Sequence, residues 1–208
     1  PTLYLAPENP KPRDRSMPNH SASRFPIPEL ESLPADIHQR ILGVAEKSGF
    51  IPNIFLALAH RPDEFRAFFA YHDALMEKEG GLTKAEREMI VVATSGLNQC
   101  IYCVVSHGAI LRIRQKNPQI SEQLSTNFRN ADITDRQKAM LKFAIKVAGT
   151  SHEINKNDFN NLKEQGFSDE DSWDIGAITA LFALSNRMAN MADIQPNNEF
   201  YSLGRNET

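Results

Sequence analysis

Cysteine is scarce in this chain: two in 208 residues, too few for the disulfide framework of a small secreted scaffold. No run approaches the roughly 18–20 continuous apolar residues that span a bilayer, so a membrane-crossing helix is not expected. Basic residues are not in excess: 23 Lys and Arg stand against 26 Asp and Glu, for a formal net charge of -3. A phosphate-binding surface usually makes its domain basic, so no nucleic-acid partner is expected. Period-two alternation over strand lengths is missing, which argues against a sheet. The first residues, Pro1-Thr2-Leu3-Tyr4, lack the basic segment and long apolar run of a secretory leader. With so few cysteines, this sets the expectation of a reducing, cytoplasmic compartment. There, a close cysteine pair is more often catalytic or metal-binding than a structural staple.

What is present is an ordinary globular composition, 41% hydrophobic and 24% charged, in a chain long enough for one domain. Seven of the twelve prolines fall in residues 1–32: Pro1, Pro7, Pro10, Pro12, Pro18, Pro26 and Pro28. Proline fixes φ and blocks helix interiors, so this stretch reads as an extended arm. Leu3, Tyr4, Leu5, Phe25 and Ile27 are its candidate docking residues. Residues 33–208 read as a single all-helical domain, a bundle of about eight helices with short connections. Pro34 and Pro62 suit first turns and Gly49 suits a helix end. Thr83-Lys84-Ala85-Glu86 and Thr134-Asp135-Arg136-Gln137 are capping boxes, and Ser168 caps a long last helix running to about Met191. Ile54 to Leu58 form a short apolar segment. Asn98-Gln99 interrupts the pattern, and the next helix is expected from about Cys100 to Lys116.

Both cysteines and a histidine lie at the start of that helix, as Cys100-Ile-Tyr-Cys103 followed by His107. Positions i, i+3 and i+7 share one helix face, so two thiols and an imidazole point the same way. A helix N-terminus favours an anion, and the thiolate is the reactive form of cysteine. His107 lies four residues after Cys103, within reach of its proton directly or through a water. Cys103 is therefore the candidate attacking sulfur and Cys100 its partner. A thiolate attacking a peroxide oxygen gives a sulfenic acid, which a neighbouring thiol condenses to a disulfide and an outside reductant resets. Glu88 lies on the preceding helix, where a hairpin turn near Asn98 folds it back toward His107. A carboxylate there orients the imidazole as a triad's acid does.

The segment from Glu88 to His107 resembles the signature of the alkyl hydroperoxidase D-like family, within the carboxymuconolactone decarboxylase superfamily. Its pattern is a glutamate, eleven residues, CxxC, three residues and a histidine, and the chain matches at each position. Thr134 through Ala144, Gly166-Phe-Ser-Asp-Glu-Asp171 and Asn186-Arg187 are similar to the longer, peroxidase-related branch. The likeness covers roughly residues 35 to 195. It implies an all-helical fold assembling into dimers, trimers or hexamers. It also implies a thiol peroxidase in which Cys103 forms the sulfenic acid, Cys100 donates a proton and resolves, and Glu88 with His107 relays protons. It implies no bound cofactor and an external dithiol, with a lipoyl-bearing protein as the family precedent. The best-known members place a histidine between the cysteines; here Tyr102 stands there, leaving that relay one group short. The decarboxylase branch lacks the CxxC pair.

The rival reading is a non-enzymatic helical module in which the same cluster binds metal or senses oxidation. Elsewhere the sequence is blander. Phe65, Phe68 and Phe69 read as core, and His72 as a candidate to line the site. Asn186 and Arg187 read as a cap or an interface pair, and Trp173 as an anchor against the core.

Overall fold

The computed structural model describes residues 22–205 and, among them, contains helices and no strand. Ten α-helices follow one another: α1 Ala35–Ser48, α2 Asn53–Leu58, α3 Pro62–Met76, α4 Lys84–Leu97, α5 Ile101–Gln115, α6 Ile120–Asn127, α7 Asp135–Thr150, α8 Lys156–Glu164, α9 Asp169–Met191 and α10 Glu199–Ser202. Short 3-10 turns sit at Leu30–Ser32, Phe128–Asn130 and Ser151–Glu153. The all-α expectation holds, and the expected count of eight was too low. The apolar run from Ile54 is itself a helix, α2. A single turn, α10, follows the helix that had been read as the last. Helices this short carry no periodic signal.

Local chemistry sets the boundaries. Thr83 and Thr134 close full capping boxes with Glu86 and Gln137, as do Asn155 with Asp158 and Ser168 with Asp171. Gly49 ends α1 at φ 83°, a left-handed conformation that glycine adopts without steric cost.

The hub is α4, which packs on α5, α6, α7 and α9. Every residue from Glu86 to Ser95 is buried. Its apolar face, Met89, Ile90, Val91 and Val92, meets Leu111, Leu124, Met140, Leu141, Ile175 and Ile178 in the main core. Burying one such aliphatic side chain contributes about 1.5–3 kcal/mol. Three consecutive charges are buried with them, and each faces an opposite charge: Glu86 pairs with Arg136, Arg87 with Asp174, and Glu88 with His107 and Arg114. Arg87 Nη1 also donates to the Leu75 carbonyl, while its Nε and Nη2 find no hydrogen-bond partner among the described residues. Unmatched, such charges would oppose folding strongly.

Gly96 lets α4 and α6 touch at the backbone. A Cβ there would lie 2.5 Å from the Ser125 carbonyl oxygen, which a helix backbone cannot move aside. Gly96→Ala is expected to lower stability by about 1–3 kcal/mol, read as a drop in urea midpoint at unchanged slope.

The arm's described end is docked. The Arg24 N–H donates to the Ala192 carbonyl at 2.8 Å, and Phe25 stacks on His60 with ring centres 5.9 Å apart. Leu3, Tyr4 and Leu5 lie outside the described residues. Trp173 corrects an expectation: it is 72% exposed on α9 rather than packed on the core. Asp169 and Glu170, four and three residues earlier on the same face of α9, are exposed with it.

Candidate active site

The α4–α5 connection builds the site. Asn98 caps α4, and Gln99 turns the chain at φ 53°, a left-handed conformation that costs a non-glycine residue about 1 kcal/mol or more. Cys100 then stands at the start of α5 as its N-cap, the place at a helix N-terminus that the sequence led us to expect. Its sulfur accepts the Cys103 N–H at 3.3 Å. The two sulfurs are 2.8 Å apart, both cysteines are free, and each is 1% exposed.

This arrangement places the pair's charge. A hydrogen bond from the Cys103 thiol holds Cys100 below the ordinary thiol range against the cost of burial; the Cys103 N–H and the Asn186 amide add to it. Cys103 moves the other way, raised by sharing its proton with Cys100 and by burial, with Asn186 and Ser185 opposing. The resting charge thus favours Cys100, at the end of the helix where backbone donors and dipole stabilise an anion.

Asn186 is the residue whose role the sequence left undecided. It is fully buried on α9, its amide nitrogen donating to Ser95 Oγ at 2.9 Å and its oxygen accepting from Asn98 Nδ2 at 2.9 Å. It ties α9 to the end of α4 that leads into the thiol turn. An amide amid the apolar face of a long helix was the available signal. Asn186→Leu should cost about 1–3 kcal/mol, because Ser95 and Asn98 lose buried partners. It should also slow alkylation of the thiols by iodoacetamide at neutral pH.

Glu88 and His107 meet. The His107 Nδ1–H donates to Glu88 Oε2 at 2.7 Å, and Arg114 donates to Glu88 Oε1 at 3.0 Å. The glutamate side chain is 3% exposed, the imidazole 16%. Sequence reading missed Arg114, although it lies seven residues after His107 and so on the same face. The carboxylate fixes the tautomer and leaves Nε2 for proton exchange. Among the described residues His107 makes no hydrogen bond to either sulfur, so a proton passing between them needs an intervening water. Phe182 walls the imidazole edge-on at 4.8 Å, and the His72 ring lies 6.4 Å away.

Tyr102 points away from the relay. Its buried hydroxyl accepts the Ile54 N–H at 3.2 Å and pins α2 to the redox turn. The cysteines pack with Ala57, Ala192 and Ile194. These three also line a half-open cavity of about 220 Å³ together with Phe25 and Met188. Among the described residues no group of three or more His, Cys, Asp or Glu converges as metal ligands, and no helix is long and apolar enough to cross a membrane.

Comparison with known proteins now adds to this geometry. Residues 62–148 match the carboxymuconolactone decarboxylase family model. A peroxidase-related protein from Ralstonia eutropha JMP134, described as an alkylhydroperoxidase AhpD core, is 64% identical. That match covers 91% of this chain and 100% of the other, with TM-score 0.89. A peroxidase-related protein from Silicibacter sp. TM1040 is 37% identical over 92% of this chain and 100% of its own, with TM-score 0.85. Human sestrin-2 is 28% identical over 99 residues, 47% of this chain; the chain spans about a fifth of that relative, 21% of its length. On its fold and these relatives, the chain belongs to the carboxymuconolactone decarboxylase family, as an AhpD-like, peroxidase-related member.

Proposed function

We propose that this protein is a thiol-dependent hydroperoxidase that reduces hydroperoxides through Cys100 and Cys103. One observation carries the reading: two free sulfurs 2.8 Å apart, sharing a helix N-terminus beside a carboxylate-held imidazole. The opposite shifts of the two thiols favour charge on Cys100 and the proton on Cys103. Transfer of that proton across the short gap makes Cys103 the thiolate. A thiolate of higher pKa is the stronger nucleophile, so the less-populated form is the reactive one. Cys103 attacks the distal peroxide oxygen, the O–O bond breaks, and the sulfur becomes a sulfenic acid. The departing alkoxide takes the proton of the newly formed Cys100 thiol. The Cys100 thiolate then attacks the sulfenic sulfur and closes the disulfide, and the hydroxide it displaces leaves as water with a proton passed from protonated His107.

An external dithiol, of lipoyl type in the family precedent, supplies two electrons to reopen the disulfide; no bound cofactor is required. The apolar cavity that shares Ala57, Ala192 and Ile194 with the cysteines' cluster, though neither cysteine lines it, is suited to the organic part of a hydroperoxide. The proposed setting is a cytoplasmic homo-oligomer. The reading is tested by following cumene hydroperoxide and hydrogen peroxide consumption with dihydrolipoamide. Multiple turnovers are expected. A single stoichiometric oxidation that dithiol cannot reverse would favour the redox-sensing alternative. One tightly held zinc ion lost on changing either cysteine would favour the metal-binding one.

A further inference from the structure

The site encloses a second imidazole that the chemistry above does not use. His72, on α3, faces His107 with ring centres 6.4 Å apart, and both rings lean edge-on against Phe182, at 6.2 and 4.8 Å. His72 has its own carboxylate. Its Nδ1–H donates to Asp73 Oδ1 at 3.1 Å, and Asp73 is held by two bonds from Arg40 on α1, at 3.0 and 2.8 Å. The same motif therefore occurs twice in the same place: arginine, carboxylate, imidazole. Exposure rises along the line, from 1% at each cysteine through 16% at His107 and 24% at His72 to 43% at Asp73.

We propose that His72 is a second proton carrier, joining His107 to solvent across the Phe182 wall. The need for one follows from the proposed peroxidase reading, on which this inference rests. A thiolate and a thiol reducing one hydroperoxide take up one proton and yield an alcohol, water and the disulfide. A dithiol that restores thiolate and thiol is oxidised to its own disulfide and releases that proton. Each turnover therefore moves one proton in and one out of a nearly closed pocket. In this proposal one water bridges the two rings across that separation.

The groups facing His72 are Asp73 on its own helix, Arg40 behind Asp73, His107 on α5 and Glu88 on α4; α9 contributes Phe182. Burial, and then the charge on His107, hold His72 below the ordinary histidine range, while Asp73 and Glu88 oppose. When His107 carries a proton, His72 is thus the neutral ring that can receive it. His72 touches no reacting atom and acts through His107.

The test is His72→Gln, which keeps a polar side chain of similar reach. In dilute phosphate its turnover should fall about tenfold, as for loss of a proton-transfer group, and added millimolar imidazole should restore most of it. Thermal unfolding should match wild type. Unchanged turnover, or a loss in a folded variant that imidazole does not relieve, would overturn the proposal. Should His72→Gln fail to fold, Asp73→Asn serves, with a smaller loss and the same rescue. A rapid pH jump followed by thiolate absorbance gives an answer without peroxide. Wild type should respond faster than His72→Gln, and equal rates would overturn the carrier role. Absence of peroxide turnover in wild type would instead remove the peroxidase reading and leave the pH jump to decide on His72.

Discussion

Cys103→Ser is expected to abolish peroxide consumption, by roughly a thousandfold or more, because the attacking atom itself is gone. The partner substitution should behave differently. Cys100→Ser should still consume hydroperoxide, but only once per chain, leaving a sulfenic acid on Cys103 that dimedone traps. The argument turns on the shared proton. Cys100 accepts the Cys103 N–H, and its thiol is held below the ordinary range, which favours charge there. That stabilisation also blunts it as a nucleophile, whereas Cys103, once its proton has crossed to Cys100, is both activated and four residues from His107. Mass spectrometry of the dimedone adduct in each variant checks the assignment. An adduct on Cys100 in Cys103→Ser, with peroxide still consumed, would reverse the two roles.

The second large effect is at Glu88. Glu88→Gln keeps the shape but removes the charge that His107 and Arg114 share. The amide can present its NH₂ rather than its oxygen to the imidazole, which disfavours the tautomer that leaves Nε2 available. Turnover should fall by about 10²–10⁴-fold, the range for loss of positioned acid–base function. Arg114 keeps its ion pair with Glu77 and its hydrogen bond to the Lys84 carbonyl, so the fold should survive. Alkylation of the thiols, which needs no relay, should change far less than turnover. Equal losses in both would mean that Glu88 only holds the structure together.

Much of this site could be read from the sequence because helices convert spacing into geometry. Glu88, Cys100, Cys103 and His107 fall on two helices joined by a short turn, and a hairpin of that kind admits few arrangements. The capping boxes at Thr83 and Thr134 gave the starts of α4 and α7 to the residue. Contributions from distant helices were harder. Asn186 approaches the thiols from α9, and nothing in a one-dimensional pattern says which turn of a 23-residue helix faces them. His72 stood out only as a possibility, since its place depends on how α3 packs on α9; Asp73 comes with it, and Arg40 depends on the packing of α1 on α3. The start of α5 was legible to within a residue, but spacing does not separate a cap from a first helical residue, and the difference matters: as an N-cap, Cys100 accepts the Cys103 N–H. Trp173 was misjudged because a large aromatic was assumed to seek the core, while its helical position turns it to solvent.

The most direct measurement is oxidation of the wild-type protein with increasing cumene hydroperoxide, counting remaining thiols and mapping the product by peptide mass. The account predicts loss of both thiols together for each peroxide consumed, a Cys100–Cys103 disulfide, and full recovery of both thiols with dihydrolipoamide through repeated cycles. Peroxide left unconsumed while both thiols remain open to alkylation would contradict it.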